Sequence, residues 1–468
     1  MSPDPVAFVD ERLGAAKGLR KALRYVFPEH WSFLLGEMAL YAFVVLLVTG
    51  VFLALFFEPN MAQTTWNGPY APLDGTEMTR AYASALDLSF TVPGGLLMRQ
   101  THHWAALLFV VAITLHLLRI VFTGAFRKPR EVTYLVGVTL LVLSVLEGYV
   151  GYSLLDDLIS GMGLAIGYSA ALSIPAIGGA LGALIWDGPF PGGPAFESRL
   201  FIVHVFVLPA AIATLIGLHL ALVMRTRHTQ FPGPGRREHN VVGAPLWPAY
   251  ALRSMGWMTA VAAVLVLLGG LVQINPIWQW GPYEPWVGSN GAQPDWYLGW
   301  LIGALRLMPN WEPNAFGRML AGNPFFGGVV FPGIVFGFLY VLPVIDRVLF
   351  TRDRDEHHLL DRARDNPRRT GLLAAMLVFV VLVFFFGSAD RVFLTLSIPY
   401  ELQLWLMRAL VVVGPPLAYV LTRRWCLALR RADAHPLRSV DAELLPPPPT
   451  AEHPEEALAK SAGREQAP

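Results

Sequence analysis

The chain has 468 residues, of which 54% are hydrophobic and 15% are charged, and its formal net charge is +1. This composition is too apolar for a soluble protein of this size, and the near-neutral charge gives no reason to expect nucleic acid as a partner. The single cysteine, Cys426, excludes an internal disulfide, a covalently attached haem c and a cysteine-ligated iron–sulfur cluster.

Eight stretches are apolar and long enough to cross a bilayer, which requires about 20 residues. They predict an all-α integral membrane protein with spans at 33–57, 101–123, 132–154, 200–225, 251–274, 326–349, 371–388 and 399–423. Lys and Arg concentrate in alternate connections, which predicts that both termini are cytoplasmic. Between spans three and four, 157–180 is apolar but interrupted by Gly and Pro, which predicts short helices packed on protein at the outer surface.

These elements divide the chain into four segments. We expect a cytoplasmic N-terminal segment over 1–32, a four-helix bundle over 33–230 and a second half with spans five to eight over 231–431. The tail, 432–468, is polar and Pro-rich, and we expect it to be a disordered cytoplasmic segment.

Two spans each carry a pair of histidines. His102 and His116 are 14 positions apart, which places them on one helix face with an axial separation of about 21 Å. His204 and His219 are 15 positions apart, and Pro209 between them loosens a helix enough to absorb the extra residue. Because spans two and four are parallel, each histidine of one span lies at the depth of a histidine in the other.

Paired imidazoles in an apolar bundle are the ligand set of a low-spin haem b. The sequence therefore predicts two b haems, one held by His102 and His204 and the other by His116 and His219. The alternative is that all four are hydrogen-bonded packing residues, which leaves their matched depths as a coincidence. His103 lies about 100° around the helix from His102, and we expect it to make only a polar contact at the outer surface.

Glycines repeat with the same period as the histidines of span two. Gly36 and Gly50 in span one, and Gly137 and Gly151 in span three, are each 14 positions apart. A helix that passes a flat haem at close range needs residues without side chains, so we expect these four to bind the haem edges. Ordinary small-residue packing between helices is the alternative.

Arginines flank the histidines of span two. Arg99 precedes His102 by three positions and Arg119 follows His116 by three. Both are candidates to bind haem propionates, and the alternative for each is an interfacial side chain that reaches the lipid headgroups.

These motifs resemble cytochrome b of the cytochrome bc complexes. The resemblance rests on R-x-x-H-x13-H-x2-R in 99–119, H-x14-H in 204–219, the two glycine pairs and QPDWYLGW at 293–300. The segments TGAFRKPRE, HTQFPGPGRREHNVVG and QINPIWQWGPYEP are most similar to the single-chain actinobacterial type. Smaller di-haem membrane anchors of other dehydrogenases, and proton-coupled transporters without haem, remain the alternatives.

The resemblance implies a quinol:cytochrome c reductase, a translocase of the bacterial cell membrane. Quinol, with menaquinol favoured, is oxidised near the outer surface, and one electron passes to a Rieske iron–sulfur subunit and then to a cytochrome c subunit. The other electron crosses through an outer low-potential haem and an inner high-potential haem to quinone at the inner surface. The implied surroundings are membrane lipid and a homodimeric complex, and association with a terminal oxidase is open.

The resemblance also implies residues for the two quinone sites. The Pro294–Tyr297 stretch looks like the family's quinol-site motif, with Asp295 where the family usually has Glu, so Asp295 is expected to accept a quinol proton and Tyr297 to hydrogen-bond nearby. Helix capping is the alternative role for Asp295. Glu147 is a candidate relay at the same site. The candidates for the inner site, each with interfacial anchoring as the alternative, are His30, Glu37, Arg225 and His228.

Overall fold

A computed structural model describes residues 23–287, 293–315, 317–352 and 354–434, together with residues 10, 12, 14 and 18. Most of the predicted N-terminal segment and nearly all of the predicted tail lie outside these residues. In chain order the helices are α1 (Trp31–Ala54), α2 (Arg80–Phe90), α3 (Gly95–Phe122), α4 (Glu131–Ser153), α5 (Leu158–Leu172), α6 (Gly178–Trp186), α7 (Phe196–Thr226), α8 (Leu246–Leu271), α9 (Gly299–Leu307), α10 (Asn323–Thr351), α11 (Pro367–Ser388), α12 (Asp390–Thr395) and α13 (Tyr400–Ala434).

The predicted all-α membrane fold with eight spans is confirmed within the described residues. The helices long and apolar enough to cross a bilayer are α1, α3, α4, α7, α8, α10, α11 and α13. In the part of the chain that the structure describes, strands occur only as short antiparallel pairs: β1 (Val26–Pro28) with β4 (Gly243–Pro245), β2 (Gln63–Trp66) with β3 (Thr76–Thr79), and β5 (Asn314–Ala315) with β6 (Arg318–Met319).

Large apolar side chains point away from the protein along the spans. Val48 and Val51 of α1 are each 66% exposed, and Leu267 of α8 is 58% exposed. A soluble protein seldom exposes apolar surface of this extent, and such a surface fits contact with lipid. Between the helices, Ala39, Ala42 and Ala112 are buried together with larger apolar side chains in one cluster shared by α1, α3, α4 and α7.

The span boundaries differ most from the predicted ones at two places. Helix α3 begins at Gly95 rather than at 101, directly after Gly94, whose φ of 75° is in the left-handed region that favours glycine. Helix α13 continues to Ala434 although its apolar stretch ends near 423. Hydropathy marks the part of a helix that suits lipid and does not mark where the hydrogen-bonded helix ends.

The connections between spans are structured. The predicted short helices in 157–180 are confirmed as α5 and the start of α6. The connection between α1 and α3, for which the sequence predicts no element, forms the β2–β3 hairpin and α2. This unit has its own apolar core around Trp66, Met78 and Tyr82, which packs against Ile277 and Trp278 of a later connection.

Helix α7 contains a π turn over Val203–Val207, where the backbone N–H of Leu208 bonds to the carbonyl of Val203. A π turn accommodates one residue more than an α turn. It lies next to Pro209, which has no N–H to donate to the preceding turn. The predicted loosening near Pro209 is therefore present as a π turn that includes His204.

Candidate functional site

The four histidines of α3 and α7 form two groups at opposite ends of the helix bundle. We refer to these as the Asp295 end, which contains His102 and His204, and the Glu37 end, which contains His116 and His219. The ring centroids of His102 and His204 are 6.2 Å apart. His116 and His219 line one cavity. The π turn offsets the extra residue of α7, so each histidine of α3 faces one of α7 as the spacing predicts.

Polar groups from neighbouring helices contact the ring nitrogens at the Asp295 end. The Nδ1 atom of His102 is 2.9 Å from Oγ1 of Thr49 in α1. The Nδ1 atom of His204 is 3.0 Å from a carboxylate oxygen of Glu147 in α4. Contacts of this kind fix the orientation of an imidazole, as second contacts do for metal-bound histidines. Thr49 was not singled out in the sequence, although it directly precedes Gly50.

Each of the four predicted glycines lies directly against one histidine ring. A Cβ placed on Gly36 is 3.2 Å from His116, one on Gly50 is 3.2 Å from His102, and one on Gly137 is 3.5 Å from His219. At Gly151 the same atom is only 2.3 Å from Cε1 of His204. The glycines of α1 thus face the histidines of α3, and those of α4 face the histidines of α7.

The two arginines predicted to bind propionates are both directed into the bundle. Arg99 is buried, and only its Nη1 atom has a partner, the carbonyl of Asn275 at 3.3 Å, whereas Nε and Nη2 have none within the described residues. The guanidinium of Arg119 lies over the ring of Phe33 at 4.5 Å, and its Nε is likewise buried without a partner. Buried cations of this kind favour an anionic ligand.

These observations fit haem at both ends of the bundle. The donor set is two imidazole pairs, the glycines keep the adjacent helix surfaces free of side chains, and the arginine donors match carboxylate groups. The Nδ1 atoms of His116 and His219 are buried and have no partner among the residues that the structure describes. An imidazole coordinates iron in its neutral form.

Asp295 contacts Tyr297, which the sequence predicts for the quinol site, and His103, which it does not, and the Asp295 side chain does not cap a helix. Its Oδ1 atom is 2.7 Å from Nε2 of His103, and its Oδ2 atom accepts a hydrogen bond of 3.1 Å from the hydroxyl of Tyr297. Asp295 occupies the N-cap position of the turn Trp296–Leu298, but its side chain makes no capping hydrogen bond. The sequence predicts only a polar contact at the outer surface for His103, whereas its partner in the structure is the candidate catalytic carboxylate.

Tyr297 connects Asp295 with α4. Its hydroxyl lies against Gly148, where an added Cβ would be 2.7 Å away. Burial raises the pKa of Tyr297 well above its ordinary value, and the nearby Asp295, Tyr152 and Glu147 raise it further. The predicted site residues Asp295, Tyr297 and Glu147 therefore lie in one interacting group, and Gly148, adjacent to Glu147, is what allows the close approach of Tyr297.

Two aspartates that follow α4 are buried. Asp156 accepts a hydrogen bond of 2.7 Å from Thr79 of the β2–β3 hairpin, and burial raises the pKa of Asp156 to about 7. Asp157 is fully buried at the start of α5, and burial raises its pKa to about 6. The β2–β3 hairpin covers the region after α4 and therefore shields the carboxylates of Asp156 and Asp157 from water.

The Glu37 end contains a cavity of about 270 Å³ bounded by α1, α3, α4, α7 and the start of α8. Glu37, Tyr250 and His228 are part of its wall, whereas His30 and Arg225 are not. His30 instead bonds to Ser32 and packs against Phe231. Arg225 is exposed, and Arg227 lines the cavity in its place. Burial, followed by the charges of Arg130 and Arg119, lowers the pKa of His228 to about 4.

The chain is similar to known membrane proteins over most of its length. A family model described as "Cytochrome b(N-terminal)/b6/petB" matches residues 107–282. A protein of Mycobacterium tuberculosis named "Cytochrome bc1 complex cytochrome b subunit" is 49% identical over 426 residues, which cover 91% of this chain and 77% of the relative. A Streptomyces coelicolor protein of the same name is 44% identical over 91% of this chain and 78% of the relative.

One solved structure has a similar fold. A chain of a structure titled "Hyperthermophilic respiratory Complex III" superposes with a TM-score of 0.64 at 20% sequence identity, covering 90% of this chain and 100% of that chain. At this identity the likeness concerns the fold alone.

Proposed function

The chain belongs to the cytochrome b family, as a bc1-complex cytochrome b subunit that binds haem b, and we propose that it oxidises quinol at the Asp295 end and reduces quinone at the Glu37 end. Membership of this family argues against a transporter and against the smaller dehydrogenase anchor. The single observation that carries the proposal is the pair of facing histidine sets, one at each end of the bundle.

Two haems bound between α3 and α7 would supply one-electron transfer from one end of the bundle to the other. His102 with His204, and His116 with His219, would hold them. Arg99 and Arg119 would bind the carboxylate groups of the haems, and the glycines of α1 and α4 would allow the haems to approach these helices closely. His102 and His116 both belong to α3, which rises about 1.5 Å per residue, so this helix sets the distance between the two haem sites.

At the Asp295 end the carboxylate of Asp295 accepts a proton from the quinol hydroxyl. It is one methylene shorter than the glutamate usual in the family. The contact with His103 and the hydrogen bond from Tyr297 hold both of its oxygens, so its orientation is set on both sides. Glu147 lies near the same tyrosine and near His204, which suits a relay for protons that leave the site.

We infer the surroundings of the chain from the family and from the charge pattern. We assign the Asp295 end to the outer face of the bacterial cell membrane and both termini to the cytoplasm, because the basic connections lie at the other end. The complex supplies a Rieske subunit and a cytochrome c subunit as electron acceptors, and it forms a homodimer. We propose menaquinol as the substrate, the bundle 33–230 as the haem-binding unit, and 231–431 as the half that contributes Asp295.

Replacement of Asp295 by asparagine tests the outer site. Asp295→Asn keeps the size of the side chain but cannot accept a proton, so quinol-driven cytochrome c reduction by the purified complex is expected to fall by about 10²–10⁴-fold, with both haems retained. Asp295→Glu is expected to retain much of the rate. Glu77→Gln, an exposed acid in the β2–β3 hairpin, is the matched control. Unchanged turnover of Asp295→Asn across the pH range, at full haem content, would contradict this role.

A further inference from the structure

The four histidines predicted to bind haem differ in the groups that lie beside their rings. At the Asp295 end, Nδ1 of His204 lies 3.0 Å from a carboxylate oxygen of Glu147. In the same pair, Nδ1 of His102 lies 2.9 Å from the neutral hydroxyl of Thr49. At the Glu37 end, no carboxylate of the described residues lies within ion-pair distance of either histidine ring. Within the described residues, a negative charge thus lies beside only one of the two histidine pairs.

The Glu147 carboxylate lacks a cationic side chain as its partner. Among the described residues, no lysine or arginine forms an ion pair with Glu147, and its Oε2 atom is buried without a hydrogen-bond partner. A buried carboxylate is costly unless a positive charge or several hydrogen bonds compensate it. An oxidised haem held by His204 would supply a positive charge next to this imidazole. The position of Glu147 therefore suits an interaction with the iron through the histidine ring.

The charges at the opposite end of the bundle are arranged differently. The carboxylate of Glu37 accepts hydrogen bonds of 3.0 Å from the hydroxyls of Tyr41 and Ser254, and these donors stabilise its charge. Arg130 and Arg227 line the cavity that contains the histidines of this end and add positive charge to its wall. Each end also has one of the two arginines predicted to bind propionates, so those arginines do not distinguish the ends. The charges of the chain therefore favour an oxidised haem more strongly at the Asp295 end.

We propose that the Glu147 carboxylate lowers the reduction potential of the haem at the Asp295 end by stabilising its oxidised form through His204. This inference rests on the proposed function, which places a haem at each end. Polar groups around an axial ligand are among the means by which a protein sets a haem potential. Reduction adds one electron and removes the positive charge with which the carboxylate interacts, so the carboxylate disfavours reduction. In this role Glu147 is a positioning residue that favours electron transfer from the Asp295 end toward the Glu37 end.

Equilibrium redox titration of the purified complex tests this inference without quinol turnover. The b haem absorbance is recorded at one pH while dithionite lowers the ambient potential in the presence of redox mediators. Glu147→Gln keeps the size of the side chain but removes its charge, so we expect the lower of the two haem potentials to rise. At a fixed ambient potential, the ratio of reduced to oxidised haem should increase roughly ten-fold, or about 59 mV for a one-electron couple. Glu147→Asp keeps the charge and is expected to retain most of the unmodified potential.

Two variants separate the effect of this charge from a general structural effect. Glu197→Gln removes another buried carboxylate of the same end, in the first turn of α7 and about 10 Å along the helix from His204. It contacts no histidine ring, and its replacement should shift the lower potential much less. Thr49→Val removes the neutral partner of His102 at the same haem and should also shift this potential less than Glu147→Gln does.

The outcomes distinguish the inference from the proposed function. If Glu147→Gln loses haem, the test passes to Glu147→Met, an uncharged side chain of similar length, with the same expected rise. An unchanged lower potential in a haem-replete variant overturns the inference, and so does an equal rise in Glu147→Gln and Glu197→Gln or a shift confined to the higher potential. Each of these results leaves the proposed function intact. Absence of haem from the unmodified complex overturns the proposed function itself, and this inference with it.

Discussion

The four glycines that face the histidines offer a graded test of the haem sites, because alanine adds the same single methyl group at each position. The methyl of Gly151→Ala begins 2.3 Å from Cε1 of His204, whereas that of Gly137→Ala begins 3.5 Å from His219. Carbon atoms prefer a separation of about 3.5–4.0 Å. The His204 ring must therefore retreat by roughly 1.2 Å or more in the first variant, and the His219 ring need not move in the second.

The expected effect on haem retention follows from this difference. Overpacking of a filled site costs about 1–3 kcal/mol, which corresponds to roughly 5–150-fold weaker binding. We expect this loss for Gly151→Ala, a smaller one for Gly36→Ala and Gly50→Ala, where the methyl begins 3.2 Å from a ring, and almost none for Gly137→Ala. Alanine also favours a helix over glycine by about 1 kcal/mol, but this gain is common to all four variants and does not alter their order.

The assay is the haem content of the purified complex by pyridine haemochrome, together with its reduced-minus-oxidised spectrum. Gly217→Ala in α7 is the control, because an added Cβ there meets no atom within 4 Å. Full haem content and an unchanged spectrum in Gly151→Ala would refute the reasoning. An equal loss in Gly137→Ala and Gly151→Ala would show that these positions respond to helix packing in general and not to the histidine rings.

Three further predictions concern the histidines and a buried carboxylate. His219→Leu should remove one of two haem equivalents and leave the other spectrally normal, and retention of both by haemochrome assay would show that His219 is not a ligand. His103→Leu should lower quinol-driven turnover at full haem content while His103→Gln, which keeps an N–H donor toward Asp295, retains more of it; equal rates in the two variants would remove His103 from the site. Because burial raises the pKa of Asp156 from 3.8 to about 7, the folded protein holds a proton that the unfolded chain releases. The stability contributed by protonated Asp156 is therefore fully present below pH 4. From pH 4 to pH 7 the free energy of unfolding falls by about 1.4 kcal/mol per pH unit. Asp156→Asn should then raise the unfolding temperature of the complex at pH 7–8 and raise it less at pH 5, as measured by differential scanning fluorimetry.

The sequence by itself determined the eight spans and the two histidine pairs, because both are local properties. A membrane span is recognised by the apolar character of about 20 consecutive residues. The facing of His102 with His204 follows from helix periodicity once the spans are known to run parallel. The glycine period was readable for the same reason, although the one-to-one contact of each glycine with a histidine became visible only when the helices were packed.

Only the tertiary structure decided which residues meet across the two candidate quinone sites. Asp295 is 192 positions from His103, and Ser254 is 217 positions from Glu37, so no local pattern links them. Their contacts depend on how α8 and the connection before α9 pack against α1 and α3. The same holds for the cavity at the Glu37 end, which includes Glu37 and His228 but not Arg225. A side chain near a membrane surface points into the protein or away from it according to its neighbours, and hydropathy alone does not distinguish the two directions.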